Sequence, residues 1–247
     1  MNALAANSYS QALKNMRGLC PAPKAILTIS AHWMTRGTWV TGMEKPRTIH
    51  DFAGFPEELF SIQYPAPGSA VLAERIVQAL APTSVQIDRD QWGLDHGTWS
   101  VLLHIFPEAT IPVLQLSLDL SQPPEFHFEL GRKLRPLRED GVLIVGSGNI
   151  VHNLRKIDWN ENAKPYPWAL SFDATIRHAL ATRDLSVLFK AWQSTEEGRL
   201  STPTPEHYYP LLYTLGAADV DEKMQFEFEG MQHASISMTS FSFGARR

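Results

Sequence analysis

Two short apolar runs constrain what this chain can fold into, because each ends in a segment that carries a histidine. Ile26-Leu27-Thr28-Ile29-Ser30-Ala31-His32-Trp33 delivers His32 at its carboxyl end. Val142-Leu143-Ile144-Val145-Gly146 runs through the loop Ser147-Gly148-Asn149-Ile150-Val151 into His152-Asn153-Leu154. Continuous apolar runs of this length fit strands buried on both faces, as in a parallel sheet covered by helices. In open α/β sheets ligands and chemistry collect at the carboxyl ends of the strands, so two histidines served by two strand ends point to one site.

Two further histidines have similar surroundings. His96 lies in Trp92-Gly93-Leu94-Asp95-His96-Gly97-Thr98-Trp99 and His207 in Pro203-Thr204-Pro205-Glu206-His207-Tyr208. Both segments are rich in Gly, Pro or aromatic residues and neither reads as an amphipathic face. Neutral imidazole is the commonest metal ligand and a ready proton carrier, so the four together form a site signature.

The remaining pattern alternates strands and helices. Strands are expected at 38–43, 85–88 and 113–118, and helices at 67–80, 98–105, 124–138, 169–181 and 207–215. In the helix at 67–80, Ser69 is a cap, and Val71, Leu72, Ile76, Val77 and Leu80 form the apolar stripe. The tail, 225–229 and 235–241, alternates as a β-hairpin should. The expected fold is therefore α/β, a three-layer single domain with a mixed central β-sheet flanked by helices, spanning 1–247. Gly146-Ser147-Gly148 lacks the third glycine of a dinucleotide fingerprint. Val145 stands where the hydrolase elbow needs a glycine before Ser147.

With 247 residues, 44% of them hydrophobic, the chain can bury one sizeable core, and no linker composition divides it. A net charge of -4 supplies no basic stripe for a phosphate backbone, and Arg132-Lys133-Leu134-Arg135 reads as a solvated helix face, so nucleic acid is not an expected partner. Cys20 is the one cysteine, which excludes a disulfide framework and a thiolate metal cage. The start shows no secretory signal pattern and no apolar run of membrane-spanning length occurs, so no membrane association is expected and a cytoplasmic location is.

Six segments, in order along nearly the whole chain, carry a resemblance. They are Ser30-Ala31-His32-Trp33, Thr48-Ile49-His50-Asp51-Phe52, Tyr64-Pro65-Ala66-Pro67-Gly68, Gly93-Leu94-Asp95-His96-Gly97, Gly146-Ser147-Gly148-Asn149 with Val151-His152-Asn153-Leu154, and Pro203-Thr204-Pro205-Glu206-His207-Tyr208. Together they resemble the class III extradiol ring-cleavage dioxygenases, most closely the type that acts on 4,5-DOPA. The resemblance implies that His32 and His207 are metal ligands, and that His152 is the active-site acid/base and a further candidate ligand. It also implies that His96 lies beside the substrate, where it holds a carboxylate or phenolate. Members of the family begin with a further strand ending in a Gly-His-Gly-Ser-Pro-Met segment whose histidine is another ligand. Met1-Asn2-Ala3-Leu4 is similar to the continuation of that segment, so this chain is expected to lack the family's first strand.

The chemistry such residues serve is the joining of triplet O2 to a closed-shell catechol, which needs a redox metal with open positions. Non-haem Fe(II) is the expected cofactor; Zn(II) can occupy the same histidine-rich site, because it binds more tightly than Fe(II) in the Irving–Williams order. The expected partners are a small catechol and O2, with the oligomeric state left open. Trp33, Phe52, Phe55, Tyr64 and Trp99 are candidates for an apolar wall, with Trp33 and His50 also candidate substrate contacts. His104, His127 and His178 fall on helical stretches and read as surface or core groups, and His233 as an alternative late ligand less favoured than His207. Two other functions remain open at this point: a zinc hydrolase using His32, His152 and His207, and a non-catalytic binding protein on the same fold.

Overall fold

The computed structural model of the chain describes residues 2–20, 22–160 and 163–244; Met1, at the head of the expected start segment, lies outside them. Strands β1 (Ala25–Met34), β2 (Thr38–Thr41), β3 (Val85–Asp88), β4 (Val113–Leu118) and β5 (Val142–Ser147) form one sheet in the order β3-β2-β4-β1-β5. β1 pairs in parallel with both β4 and β5, which is why its apolar run is continuous. The β2–β4 pairing is antiparallel and makes the sheet mixed, as expected.

Helices α1 (Ser8–Met16), α2 (Glu57–Ser61), α3 (Ala70–Ala79), α4 (His96–Ile105) and α5 (Pro124–Glu139) alternate with or flank these strands. After β5 come α6 (Pro167–Thr182), α7 (Leu185–Ser194), α8 (Glu196–Ser201) and α9 (Pro210–Ala217). Period-two alternation divides β1 between two cores. Leu27 and Ile29 pack with Leu72 and Ile76 of α3, Leu134 of α5 and Leu212 of α9, whereas Ile26 packs with Leu13 of α1 and Trp99 and Leu102 of α4. Thr28 and Ser30 share the α4 side: the Thr98 hydroxyl donates to Thr28 Oγ1 at 3.0 Å, and Ser30 Oγ donates to Asp95 at 2.8 Å. A polar track therefore runs up the inside of β1 towards His32.

Several sequence expectations are corrected. The helix expected from residue 67 begins at Ala70, with Ser69 Oγ accepting from Leu72 N at 3.2 Å, because Pro67 is spent earlier: its carbonyl accepts from Val113 N at the start of β4. Val71, placed in the apolar stripe, is 74% exposed. The helix expected from His207 begins at Pro210, whose missing N–H and fixed φ suit the first helical position. Residues before it form a turn in which Tyr208 N and Tyr209 N both donate to Pro205 O. The tail is two small ladders rather than one hairpin: β6 (Met224–Phe228) pairs with β9 (Ser240–Phe243), and β7 (Met231–Gln232) with β8 (Ile236–Ser237). His233 and Ala234, at φ 52° and 64°, make the inserted tight turn.

β5 pairs only with β1 in this sheet, so its other side is an edge. Along that edge lies a cavity of about 870 Å³, lined by Leu143 and Val145 of β5, Leu13 of α1, Leu211 and Thr214 of α9 and Phe241 of β9, and it reaches His207. The unpaired side of β5 faces this cavity, and such strand edges are commonly covered by other chain segments.

Candidate active site

His32 stands near the carboxyl end of β1, and its position is fixed from beneath. Its main-chain N–H donates to Ser30 Oγ at 3.2 Å. Ser30 Oγ donates to the fully buried Asp95, which accepts from Thr98 N as the cap of α4 and from Gln115 Nε2 at 2.7 Å, while Gln115 Oε1 accepts from Asp95 N at 2.8 Å. Both carboxylate oxygens of Asp95 are thereby satisfied, as burial requires. The same cap starts α4 at His96, so one network positions two of the expected histidines. Gly97 is required by close approach: a Cβ there would lie 2.5 Å from Ser30 Oγ and 2.9 Å from His32 Cδ2.

His32 and His96 pack with ring centroids 3.8 Å apart, and Asp51 lies between their Nδ1 atoms. Asp51 Oδ2 is 3.3 Å from His32 Nδ1 and 2.9 Å from His96 Nδ1, and neither contact has the geometry of a hydrogen bond. Asp51 Oδ1 accepts from the His96 main-chain N–H at 2.8 Å. Burial acts to raise the Asp51 pKa, but the polar contacts with His32 and His96, with the charge of His96, outweigh it and hold the carboxyl well below the usual carboxylate range. Asp51 is the residue the sequence reading passed over. It lies in an irregular loop whose periodicity says nothing, and only its pairing with His50 in the motif gave a signal.

The second half of the site comes from the loop after β5. Asn149 N donates to His207 O at 2.8 Å, and Asn149 Nδ2 donates to Ser237 O at 2.7 Å, which turns Asn149 Oδ1 towards His207 Nδ1 at 3.1 Å. The ring nitrogen on that side is therefore the donor, and the lone pair of His207 is on Nε2. Gly148 permits this contact, since a Cβ would lie 2.2 Å from His207 O. His152 stacks on His207 with centroids 3.4 Å apart and planes 10° from parallel, anchored by its N–H to Ser201 O and by a bridge to Ile236. His207 meets His32 edge-on at 5.2 Å, which joins the two halves.

Burial, with the nearby charges of His32 and His96, pushes His152 down to about 4. Burial and the charges of His152, His32 and His96 push His207 well below the ordinary imidazole value. Both are therefore neutral near pH 7, the form that ligates a metal or accepts a proton.

Other expected contacts take different places. Trp33, adjacent to His32 in the strand, points the opposite way and stacks on Trp92 with planes 5° from parallel, which accounts for its burial. His50 bonds Ile62 O through Nε2 at 2.9 Å and packs on Phe52, Phe60 and Trp99, so it structures the loop. Trp99 Nε1 donates to Ile49 O and Tyr64 OH to Phe106 O, both from the core. Phe52 does reach the histidines, edge-on to His96 at 5.4 Å, with Phe55 against its other side. The Glu206 carboxylate accepts from Thr204 Oγ1 within its own loop. His127 is fully buried against Tyr213 and Tyr209, and His233 packs on Trp159, away from the cluster.

His32, Asp51 and His96 present ligand atoms that all lie within 4.8 Å of one another, a group that can hold a metal ion. With the His207 ring 5.2 Å from that of His32, the neighbouring donors are nitrogen and oxygen without sulfur, which suits Fe(II) or Zn(II). The cavity along β5 meets this cluster at His207 and contains none of the other three histidines. No helix among the described residues is long and apolar enough to cross a membrane.

Comparison with known proteins is consistent with these features. The chain is 47% identical over 256 aligned positions to the 4,5-DOPA dioxygenase extradiol of Escherichia coli (strain K12), covering 99% of this chain and 91% of that protein. It is 39% identical over 230 positions to the 4,5-DOPA dioxygenase extradiol of Beta vulgaris, covering 90% of this chain and 83% of the relative. The crystal structure of an uncharacterized protein from Escherichia coli K12 superposes with a TM-score of 0.84 at 44% identity, covering 95% of this chain and 92% of that one. Residues 2–244 match the family described as the catalytic LigB subunit of aromatic ring-opening dioxygenase, and the chain belongs to that family of extradiol ring-cleaving enzymes.

Proposed function

We propose that this chain cleaves the ring of a 4,5-DOPA-like catechol with O2, adjacent to its paired hydroxyls. The observation that carries the reading is the meeting of His32, His96, His152 and His207, drawn from four separate segments, as one cluster of rings. In this reading His32 and His207 hold the metal through Nε2, with His152 close enough to share it. Fe(II) bound there supplies the electron traffic that lets O2 and catecholate react. His152, kept neutral by burial, takes the proton that a catechol hydroxyl loses and returns one at the ring-opening step. His96 lies on the substrate side, its ring fixed by Asp51 and faced by Phe52, and it holds a phenolate or carboxylate oxygen. The aromatic rings of Phe52 and Phe55 exclude water from that side.

The test is O2 uptake with a panel of catechols after Fe(II) loading, with the ring-opened product followed by its absorbance. Uptake that is the same with His152→Gln as with the parent chain would defeat the assignment of His152. The domain reading is likewise proposed: 1–247 form one catalytic domain, and the open side of β5 is where one further strand would pair. No observation favours a hydrolase or a non-catalytic binding role.

A further inference from the structure

We propose that Asp51 is a positioning residue that sets the tautomers of His32 and His96 together, aiming the Nε2 atoms of both rings into the site. The inference rests on the proposed function only for what those nitrogens then bind.

Three observations combine. Asp51 Oδ2 lies 3.3 Å from His32 Nδ1 and 2.9 Å from His96 Nδ1, so one acceptor oxygen is placed against both rings, though without a linear hydrogen bond to either. Asp51 Oδ1 is already engaged by the His96 main-chain N–H, which locks the carboxylate's rotation to the start of α4. The loop that carries Asp51 is itself pinned just before it, at Ile49: Ile49 N donates to Leu94 O, and Trp99 Nε1 donates to Ile49 O. The carboxylate is thus in place before any ligand arrives.

A carboxylate is an acceptor only, so each ring that turns Nδ1 towards it must carry its proton there. Nε2 of each ring is then left with its lone pair. Outer groups that fix a ligand's tautomer in this way also make the ring more basic, and their removal lowers metal affinity by about 10- to 100-fold. Sharing one acceptor has a consequence that two separate acceptors would not: a change at Asp51 disturbs both histidines at once. The alternative, Asp51 as a direct ligand, requires its Oδ2 and both Nδ1 atoms to turn inward on one ion, with both rings protonated at Nε2.

The experiment reads tautomers in the metal-free protein by long-range ¹H–¹⁵N correlation above pH 8, with ¹⁵N-histidine labelling. Signals are assigned from His32→Gln and His96→Gln. The expected result is Nδ1–H for both rings. In Asp51→Asn an amide NH2 can replace Oδ2, so at least one of the two rings is expected to switch to Nε2–H. Zn(II) affinity, measured by titration, is expected to fall by about 10- to 100-fold. An Nε2–H signal for either ring in the parent protein overturns the proposal. So do unchanged tautomers in a folded Asp51→Asn. The parent spectrum decides alone if that variant fails to fold. Tautomers that switch while Zn(II) affinity holds support the positioning role and count instead against His32 as a ligand.

Discussion

The two halves of the site are built in opposite ways. His32 and His96 are set on regular structure, the end of a central strand and the first turn of a helix, and share an anionic partner in Asp51. His152 and His207 are set on loops and turns, tied by main-chain hydrogen bonds and by the neutral amide of Asn149. The ionised Asp51 carboxylate stands beside the first pair, whereas burial without an anion keeps the second pair neutral. The difference bears on His152 above all: the rigid pair is fixed in place, and the uncharged stacked pair suits the movement of a proton by His152.

Four substitutions would break or sharpen this contrast. His32→Ala removes a ring from the rigid half and is expected to abolish metal retention, with activity lost alongside it; metal analysis after gel filtration checks this. A protein that keeps its metal would show that His32 is not needed to hold the ion. His152→Gln, in the loop half, is expected to retain most of the metal and bind catechol anaerobically, yet to lose about 10²-fold or more in rate. If it arrives without metal, the two halves do not divide as described.

Gly97→Ala tests whether the rigid half depends on close approach. The added carbon meets Ser30 Oγ and His32 Cδ2 within 3 Å, so we expect a loss of about 1–3 kcal/mol in urea unfolding and weaker metal binding. Unchanged stability would mean that His32 moves at no cost.

The smallest effect on activity is expected at His127, a buried histidine outside the site that serves as the control. Burial pushes its pKa down to about 4, against smaller raising effects from the Gln122 main chain and Asp119. Its folded pKa lies below the 6.5 of the unfolded chain, so the unfolded state takes up the proton first. The stability it contributes as a neutral ring is complete above about pH 6.5 and is lost as pH falls towards 4, at most about 3 kcal/mol at 1.36 kcal/mol per unit. His127→Gln should therefore show a shallower loss of stability from pH 7 to 4 than the parent, with activity at pH 7 unchanged. Equal slopes would place the acid sensitivity in His152 and His207 instead, since their pKa values are lowered in the same sense.

How much of this was legible before the structure varies with the element. The strands at 85–88 and 113–118 coincide with the observed β3 and β4: the edge strand β3 alternates Val85 and Ile87 with Gln86 and Asp88, and the inner strand β4 is buried along its length. Helix α9 was displaced by three residues because apolar periodicity does not distinguish a Pro-led turn from a first helical turn. Helices α7 and α8 gave no expectation at all.

The sequence by itself determined that histidines would gather at the carboxyl edge of a mixed sheet, since strand-forming runs and their loops are local features. It also marked Gly97 and Gly148 as part of the motifs. Only the tertiary structure decided that Trp33 faces away, that His50 braces a loop, and that Asp51 joins His32 to His96. Those outcomes depend on which face a strand residue occupies and on where an irregular loop is tied by distant main-chain groups. Such contacts are made between segments far apart in the chain, and no periodicity within any one of them encodes the meeting.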